Sequence, residues 1–410
     1  MEEAVWTPPP DPDFEKMAKE GLEAFRRDRP SIVAFDTETP GYEYFDPAFC
    51  VTAAWRGRPR KVTIGTGPGP KNVLCDDGVV YTYSNYKKMQ ETGKLVSAYF
   101  ELDLYDSSEA VKEVLAVPTL VGHNIKFDLH RAINQGLLQQ VPAIHDTEAM
   151  AHLDDEHRKK GLKELAVSVL KYDDTIKVPI KSKPGEFKEV PREKWELENA
   201  KKWAKAHHGL GSVSEVGYHL LPRGTVVPYA LKDAEFTLDL ARQLWPRISQ
   251  FQDLTELYRQ ELELTKVFLA LEANGLGVDE LYVQRQIKEY HRRILGVEER
   301  IASIVGKPVR TGKMKEKEKP LFFNPASNDQ IAKFFKAAGF PRPNYDAEQL
   351  EGIEHPLAEA ILELRGNQKI LSTYFMALKK STRNGVFHPS IRQHGTVTGR
   401  TSSGGAKGDT

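Results

Sequence analysis

An α/β domain followed by a helical half is the fold class the sequence predicts, and three observations carry the prediction. Short apolar segments bounded by Gly/Pro turns alternate with helical stretches through about residue 250, as strands and helices of one α/β layer do. Near residue 250 the pattern changes to long stretches with apolar residues three and four apart, the period of amphipathic helices. The chain has 410 residues, 40% of them apolar, which at ~100–200 residues per domain suits two or three domains with real cores.

The elements follow in order. After Thr7-Pro-Pro-Pro-Asp-Pro12, a helix is expected from about Phe14 to Arg27, stopped by Pro30. Ser31–Phe35 is a short apolar strand, and Thr52–Ala54, Lys61–Ile64 and Val79–Tyr83 read as further strands. Gly65-Thr-Gly-Pro-Gly-Pro70 lacks the Gly-Lys-Ser/Thr ending of a phosphate loop and reads as a turn. Helices are expected at Phe127–Gly136, Leu162–Leu170 and Tyr229–Leu244. Residues 176–225, polar and rich in Lys, Gly and Pro, read as an insertion or extended surface segment.

Beyond residue 250, Leu254, Leu257, Tyr258, Leu264, Val267, Phe268 and Leu271 form a helical stripe closed by Gly275 and Gly277. Lys313–Lys319 reads as a solvated, mobile loop tip, and Asn324–Asp329 as the start of a short helix. A helix near 357–382 carries the stripe Leu357, Ile361, Leu364, Leu371, Phe375 and Leu378. Counted at 3.6 residues per turn, Arg365, Lys369, Lys379, Lys380 and Arg383 fall within an arc of roughly 100° beside it. Residues 281–320 hold eleven Lys/Arg against five Asp/Glu, and Arg365–Lys407 eight Lys/Arg with no carboxylate. A basic face of this kind suits a nucleic-acid phosphate backbone.

Lys+Arg and Asp+Glu balance at 58 each, so net charge excludes nothing and only its local distribution speaks. Cys50 and Cys75 alone exclude a disulfide framework or a Cys-rich zinc site and fit a reducing, cytoplasmic setting. No apolar run approaches the ~18 residues that span a bilayer, and the N-terminus lacks signal-peptide character; no membrane partner is expected.

The chemistry is concentrated in scattered carboxylates. Asp36 and Glu38 lie in Ser31-Ile-Val-Ala-Phe-Asp-Thr-Glu-Thr39, and residues i and i+2 of a strand share a face. Asp128 follows Asn124 by four residues in Leu120-Val-Gly-His-Asn-Ile-Lys-Phe-Asp128, and Asp233 follows Tyr229 by four in Tyr229-Ala-Leu-Lys-Asp-Ala234. Four residues is one helical turn, so each pair shares a face. Four hard oxygen donors suit Mg²⁺ or Mn²⁺. Two such ions ~4 Å apart can bind a scissile phosphate, generate hydroxide and stabilise a departing 3′ oxygen, with Tyr229 placed to orient the water. His207, His208 and His219 have no carboxylates at ligand spacing and read as surface residues.

These motifs resemble those of the DEDDy branch of the DnaQ-like 3′–5′ exonucleases, whose fold is an RNase H-like mixed sheet with flanking helices. The family's Asp-x-Glu corresponds to Asp36 and Glu38, its Asn-x-x-x-Asp to Asn124 and Asp128, and its Tyr-x-x-x-Asp to Tyr229 and Asp233. A His at position 229 would mark the other branch. The resemblance implies that Asp36, Glu38 and Asp233 hold one metal. It also implies that Asp36 holds the second, with Asp128 helping directly or through water. Asp146-Thr147 resembles the stretch that introduces the helix after the second motif, and Asn124 is expected to touch DNA.

The remainder resembles family A DNA polymerases of phage type, so that the likeness covers about residues 31–403. Leu262–Asp279 is similar to the start of their polymerase region. Asn324-Pro-Ala-Ser-Asn-Asp-Gln-Ile331 is similar to their Asn-x-x-Ser-x-x-Gln element, and Arg365–Tyr374 to their thumb helix. His394-Gly-Thr-Val-Thr-Gly-Arg-Thr-Ser-Ser403 is similar to their Thr-Gly-Arg-x-Ser-Ser motif. Thr398, Arg400, Arg365, Lys369, Lys379, Lys380 and Arg383 are then expected to contact primer–template DNA.

The implied domains are an N-terminal extension (1–30), an exonuclease (31–250), a helical thumb (251–385) and the start of a palm (386–410). The palm carboxylates that follow in the family are not in this sequence, so polymerisation is expected only with a separately encoded palm-and-fingers polypeptide. Residues 386–410 are expected to pack poorly, as a sheet short of strands. The expected activity is proofreading removal of nucleotides from DNA 3′ ends. The alternatives are a DNA-binding subunit of a split polymerase and an RNase D-like RNA exonuclease.

Overall fold

The structure, a computed structural model, describes residues 6–58, 61–64, 72–75, 80–179, 186–310 and 321–404. The expected turn at Gly65–Pro70 and the expected loop tip at Lys313–Lys319 lie outside the described residues. Two compact units emerge: residues 1–274 with 390–410, and residues 275–389.

The first unit is built on a five-stranded mixed sheet. In chain order it contains α1 (Phe14–Asp28), β1 (Ile32–Glu38), β2 (Cys50–Gly57), β3 (Lys61–Ile64), β4 (Asn72–Cys75), β5 (Val80–Thr82), α2 (Tyr83–Thr92) and β6 (Lys94–Glu101). Next come α3 (Ser108–Leu115), β7 (Thr119–Gly122), α4 (Ile125–Asn134), β8 (Ala143–Asp146), α5 (Thr147–Asp154) and α6 (Leu162–Ser168). Then follow β9 (Thr175–Pro179), β10 (Phe187–Pro191), α7 (Arg192–His207), α8 (Arg223–Ser249) and α9 (Gln252–Asn274). The main sheet has the order β6-β2-β1-β7-β8. β1 pairs antiparallel with β2 and parallel with β7, and β7 is parallel to β8.

Period-two alternation divides the sheet between two cores. Val33 and Phe35 of β1, Val51, Ala53 and Trp55 of β2 and Leu120 of β7 pack with α1, α3 and α4. Ala34, Ala54 and Val121, their sequence neighbours, pack with α5, α6 and α8. Helices thus cover both faces, which is why the strands read as apolar runs. α1 joins the first core through Ala18 and Phe25, with the Phe25 ring edge-on to Trp55 at 5.8 Å.

The polar segment 176–225 is structured in its described part. β9 and β10 form an antiparallel hairpin that leads straight into α7. The buried face of α9 also differs from the apolar stripe read from sequence. Tyr258, Thr265, Phe268, Leu269 and Glu272 are buried, whereas Leu257, Val267 and Leu271 are exposed. The helix turns two polar groups inward because partners await them. Glu272 accepts from His130 Nε2 at 2.6 Å and from Lys126 Nζ, and Thr265 donates to Gln393 at 2.8 Å.

Over the described residues 390–404, those partners also correct the expectation that residues 386–410 pack poorly. β14 (Ser390–Arg392) pairs with β15 (Ser402–Gly404). Gln393 and His394 are buried, and the Gln393 amide donates to the Glu261 carbonyl at 3.0 Å. The short hairpin is held by hydrogen bonds to backbone and side chains of α9.

The second unit is helical. It contains β11 (Leu276–Gly277), α10 (Glu280–Val305), α11 (Asn328–Ala337), α12 (Ala347–Glu351), α13 (Pro356–Lys369), α14 (Ala377–Ser381), β12 (Thr382–Arg383) and β13 (Val386–Phe387). Val297, Ile301, Ile331, Phe335, Leu357, Ile361 and Leu364 form its main core. The helix expected near 357–382 is interrupted: Ile370–Met376 is a π-helical stretch between α13 and α14. A wider turn shifts every later residue around the axis. Arg383, moreover, lies in β12, before a turn with Asn384 at φ 52° and Gly385 at φ 76°. The 3.6-residue count placing five basic residues in one arc therefore does not describe this segment. No described helix is long and apolar enough to cross a membrane.

Candidate active site

The site is assembled at the end of β1. Asp36 and Glu38 alternate with Thr37, so the two carboxylates leave one sheet face and Thr37 the other. The carboxylates face α8. That helix approaches closely because small residues line the contact: Ala34 and Ala54 of the sheet, Ala230 and Ala234 of the helix, all fully buried. Thr52 Oγ1 donates to the Ala230 carbonyl at 3.0 Å and fixes the helix along the sheet. Asp233, one turn beyond Tyr229, then meets the strand carboxylates. Oxygens of Asp36, Glu38 and Asp233 all lie within 4.8 Å of one another.

Asp128 arrives from the opposite face on α4. It accepts from the Thr37 backbone N–H at 2.9 Å and from Thr37 Oγ1 at 2.6 Å. Two features of Val121-Gly-His-Asn124 set this position. A Cβ on Gly122 would stand 2.6 Å from Ile125 Cβ and 2.8 Å from its Cα, so only glycine lets α4 start so close to β7. Asn124 has φ 56° in the left-handed region, which Asn tolerates better than most residues. Asp146 then caps two helices. Its carboxylate accepts from Asn124 N and Ile125 N at 3.0 Å, and from Glu148 N at 2.8 Å.

Electrostatically the cluster calls for positive charge. Burial, then the charges of Asp128, Glu38 and Asp233, hold the Asp36 carboxyl well above the usual carboxylate range. Burial and then Asp233 do the same to Glu38. Burial pushes Asp128 up to about 7, against the hydrogen bonds from Thr37. Asp233 is raised by burial despite Lys163. Burial, then the charges of Asp233 and Glu38, keep the Tyr229 hydroxyl protonated, and Tyr218 stacks on it with centroids 5.7 Å apart.

Three site residues escaped the sequence reading. Lys163, on α6, is hydrogen-bonded to Asp233 Oδ1; its Nζ is 2.9 Å from Glu193 Oε2 and 4.3 Å above the Tyr229 ring. Glu193 comes from the first turn of α7, inside the segment read as a surface insertion. Thr37 was visible only as the residue between two acids. A lysine among 58 basic residues and a glutamate in a polar segment carry no local signal.

The expected DNA-contacting residues are dispersed. Asn124 is exposed at the start of α4. Thr398 and Arg400 are exposed between β14 and β15, where Thr396 Oγ1 donates to the Arg400 carbonyl at 2.8 Å. Lys369, Lys379, Lys380 and Arg383 are exposed in the second unit, while Arg365 donates to the Tyr345 carbonyl at 2.8 Å. His207 stacks on Trp203 at 4.5 Å and His208 contacts the Leu220 carbonyl at 3.2 Å. Among the described residues no histidine joins the carboxylate cluster.

Comparison with known proteins fits this geometry. Residues 89–249 match the 3′–5′ exonuclease family model and residues 280–405 that of DNA polymerase family A. The first match includes Asp128, Tyr229 and Asp233; Asp36 and Glu38 precede it. The chain is 28% identical over 290 residues to DNA polymerase I of Chloroflexus aurantiacus, covering 68% of this chain and 27% of that protein. It is 28% identical over 308 residues to the DNA polymerase of Escherichia phage T5, covering 70% and 33%. It is 25% identical over 388 residues to DNA polymerase DpoZ of Salmonella phage PMBT28, covering 91% and 52%. The chain thus spans about a quarter to a half of the length of these relatives. Among solved structures, the POL domain of Pol1 from M. smegmatis superposes with a TM-score of 0.56 at 18% identity, over 96% of this chain and 54% of that one. At that identity the likeness speaks for the fold.

Proposed function

With the chain belonging to DNA polymerase family A and carrying that family's 3′–5′ exonuclease domain, we propose that it removes nucleotides from DNA 3′ ends by metal-dependent hydrolysis, the proofreading step of a polymerase. One observation carries the reading: the convergence of Asp36, Glu38 and Asp233 oxygens within 4.8 Å, with Asp128 held beside them by Thr37.

The donor set fits divalent cations. The oxygens are hard, several carboxyls are held above their ordinary range by burial and then by one another's charge, and a lysine already stands among them. Two Mg²⁺ or Mn²⁺ ions, when bound, would supply an activated water and charge stabilisation at the scissile phosphate. Asp36, Glu38 and Asp233 would hold one ion; Asp36 would share the other, with Asp128 assisting. Tyr229 keeps its proton and orients the attacking water by hydrogen bonding.

Residues 31–250 are proposed as the exonuclease, 251–385 as a thumb and 386–410 as the start of a palm. Asn124 would touch the single-stranded 3′ end. Arg365, Lys369, Lys379, Lys380, Arg383, Thr398 and Arg400 would contact primer–template duplex. A polypeptide bearing palm and fingers is proposed as a further partner for polymerisation, in a cytoplasmic setting. The similarity to DNA polymerases favours DNA over RNA as substrate.

The test is Mg²⁺- or Mn²⁺-dependent degradation of 3′-labelled single-stranded DNA, with RNA in competition. Activity surviving Asp36→Ala combined with Glu38→Ala would sink the assignment.

A further inference from the structure

Lys163 stands where a cation belongs. Its ammonium is bonded to Asp233, one of the three clustered carboxylates, and lies above the Tyr229 ring, so it touches both ends of the Tyr-x-x-x-Asp pair. The side chain is 35% exposed, on a flexible stem that can turn. A second seat is already prepared: Glu193 Oε2 is 2.9 Å away and comes from a different element, the first turn of α7.

That seat is fixed by neighbouring contacts. Arg192, next to Glu193, reaches Asp174 at 3.2 Å, and Lys232, next to Asp233, reaches the same Asp174 at 3.3 Å. Asp174 and Lys163 therefore cross-link two adjacent residues at the start of α7 to two adjacent residues of α8. The hairpin and α7 thereby deliver a carboxylate to the edge of the site. A divalent ion on the Asp233 oxygen that Lys163 holds would stand at contact distance from the ammonium, and like charges repel strongly in a partly dehydrated site.

Resting on the nuclease reading above, we propose that Lys163 is a positioning residue that competes with the divalent ion for Asp233, and that Glu193 receives its ammonium when the ion binds. Without metal, Lys163 neutralises carboxylates that would otherwise repel one another. With metal, it withdraws to Glu193 and leaves Asp233 free. The device keeps the site assembled before metal arrives and sets the metal concentration at which it loads.

The test is Mn²⁺ titration of the full chain, followed by electron paramagnetic resonance, for wild type, Lys163→Met, Glu193→Gln and the double variant. Lys163→Met is expected to bind Mn²⁺ about tenfold tighter, and Glu193→Gln several-fold weaker. In the Lys163→Met background, Glu193→Gln should change affinity by less than about twofold, because its effect runs through the lysine. In chelator Lys163→Met should melt below wild type and regain the difference on adding Mn²⁺. Lys163→Gln, which keeps a polar group, provides the same reading if the Met variant does not fold. Unchanged or weaker binding by both lysine variants overturns the proposal, as does an equal Glu193→Gln effect in both backgrounds. Wild-type protein that binds no Mn²⁺ overturns the nuclease reading itself, and this inference with it.

Discussion

Glu272 on α9 and His130 on α4 are joined by a 2.6 Å hydrogen bond between Oε2 and Nε2, both side chains buried. The same carboxylate takes the ammonium of Lys126 and the Ile391 backbone N–H. Lys126 and His130 flank Asp128 on either side along α4. One buried glutamate thus ties the helix that carries Asp128 to α9 and to β14.

Removing that carboxylate leaves an ammonium buried without a counter-charge. Glu272→Ala is expected to destabilise the first unit by about 3–5 kcal/mol, the usual cost of breaking a buried pair from one side. Glu272→Gln keeps an acceptor and should cost less. Urea denaturation of the three proteins measures both. Burial works against the Glu272 charge, but His130 and Lys126 outweigh it and hold the carboxyl below its ordinary range. A carboxyl lowered in the folded state contributes stability above its unfolded pKa and loses it as pH falls through the folded one. The gap between wild type and Glu272→Gln should therefore narrow in acid. A gap that stays constant down to about pH 3 would refute the role of the charge.

Asp128 gives the opposite slope. Its carboxyl is held up at about 7, against an ordinary value near 4. Between these pH values the folded chain keeps a proton that the unfolded chain has released, so stability falls as pH rises. In chelator the melting temperature should drop by several degrees between roughly pH 5 and pH 7.5, and Asp128→Asn should flatten part of that drop. On the proposed metal reading, Mn²⁺ favours the ionised form and should reverse it. A wild-type profile in chelator that rises over this range would contradict the burial of this carboxyl.

Gly122 tests how tightly α4 is set. The Cβ of Gly122→Ala would meet Ile125, including its backbone, so the start of the helix must move. A cost of about 1–3 kcal/mol is expected for such overpacking. Mn²⁺ affinity should fall as well, because Asp146 and Asn124 hold the same turn. Gly136→Ala, at a position with open space around it but a positive φ of 67°, should cost stability without touching metal affinity. Equal Mn²⁺ binding by Gly122→Ala and wild type would show that the turn does not govern the site.

What was legible in the sequence followed from short-range geometry. Alternation placed Asp36 and Glu38 on one face, and helical spacing placed Tyr229 over Asp233, so both pairs could be read from neighbours alone. What was not legible depends on partners distant in the chain. Glu272 carried no signal of its own, because its partners Lys126 and His130 lie more than 140 residues away. Glu193 sat in a polar stretch that only the hairpin carries to the site. The π-helical stretch at Ile370–Met376 has no signature of its own. Leu371 and Phe375, both in the stripe read from sequence, pack there with Val283, Ile287 and Tyr290 of α10; what the uniform 3.6-residue period missed is the wider turn itself and the end of the helix before Arg383.

Under the proposed function, Tyr229 separates metal binding from chemistry. Its hydroxyl is buried against Asp233 and Glu38, and both burial and charge oppose its ionisation. At any pH near neutral it is therefore a hydrogen-bonding group and not a base. Tyr229→Phe keeps the ring that stacks on Tyr218 and lies beneath Lys163, so Mn²⁺ affinity and folding should change little. The turnover number for 3′-end hydrolysis should fall by about 10–100-fold with KM nearly unchanged, the pattern of a group that acts only in the reacting complex. Because no proton is lost from Tyr229, the pH dependence of the residual activity should match that of wild type. A shifted profile would mean that the hydroxyl titrates, against the electrostatics of the site.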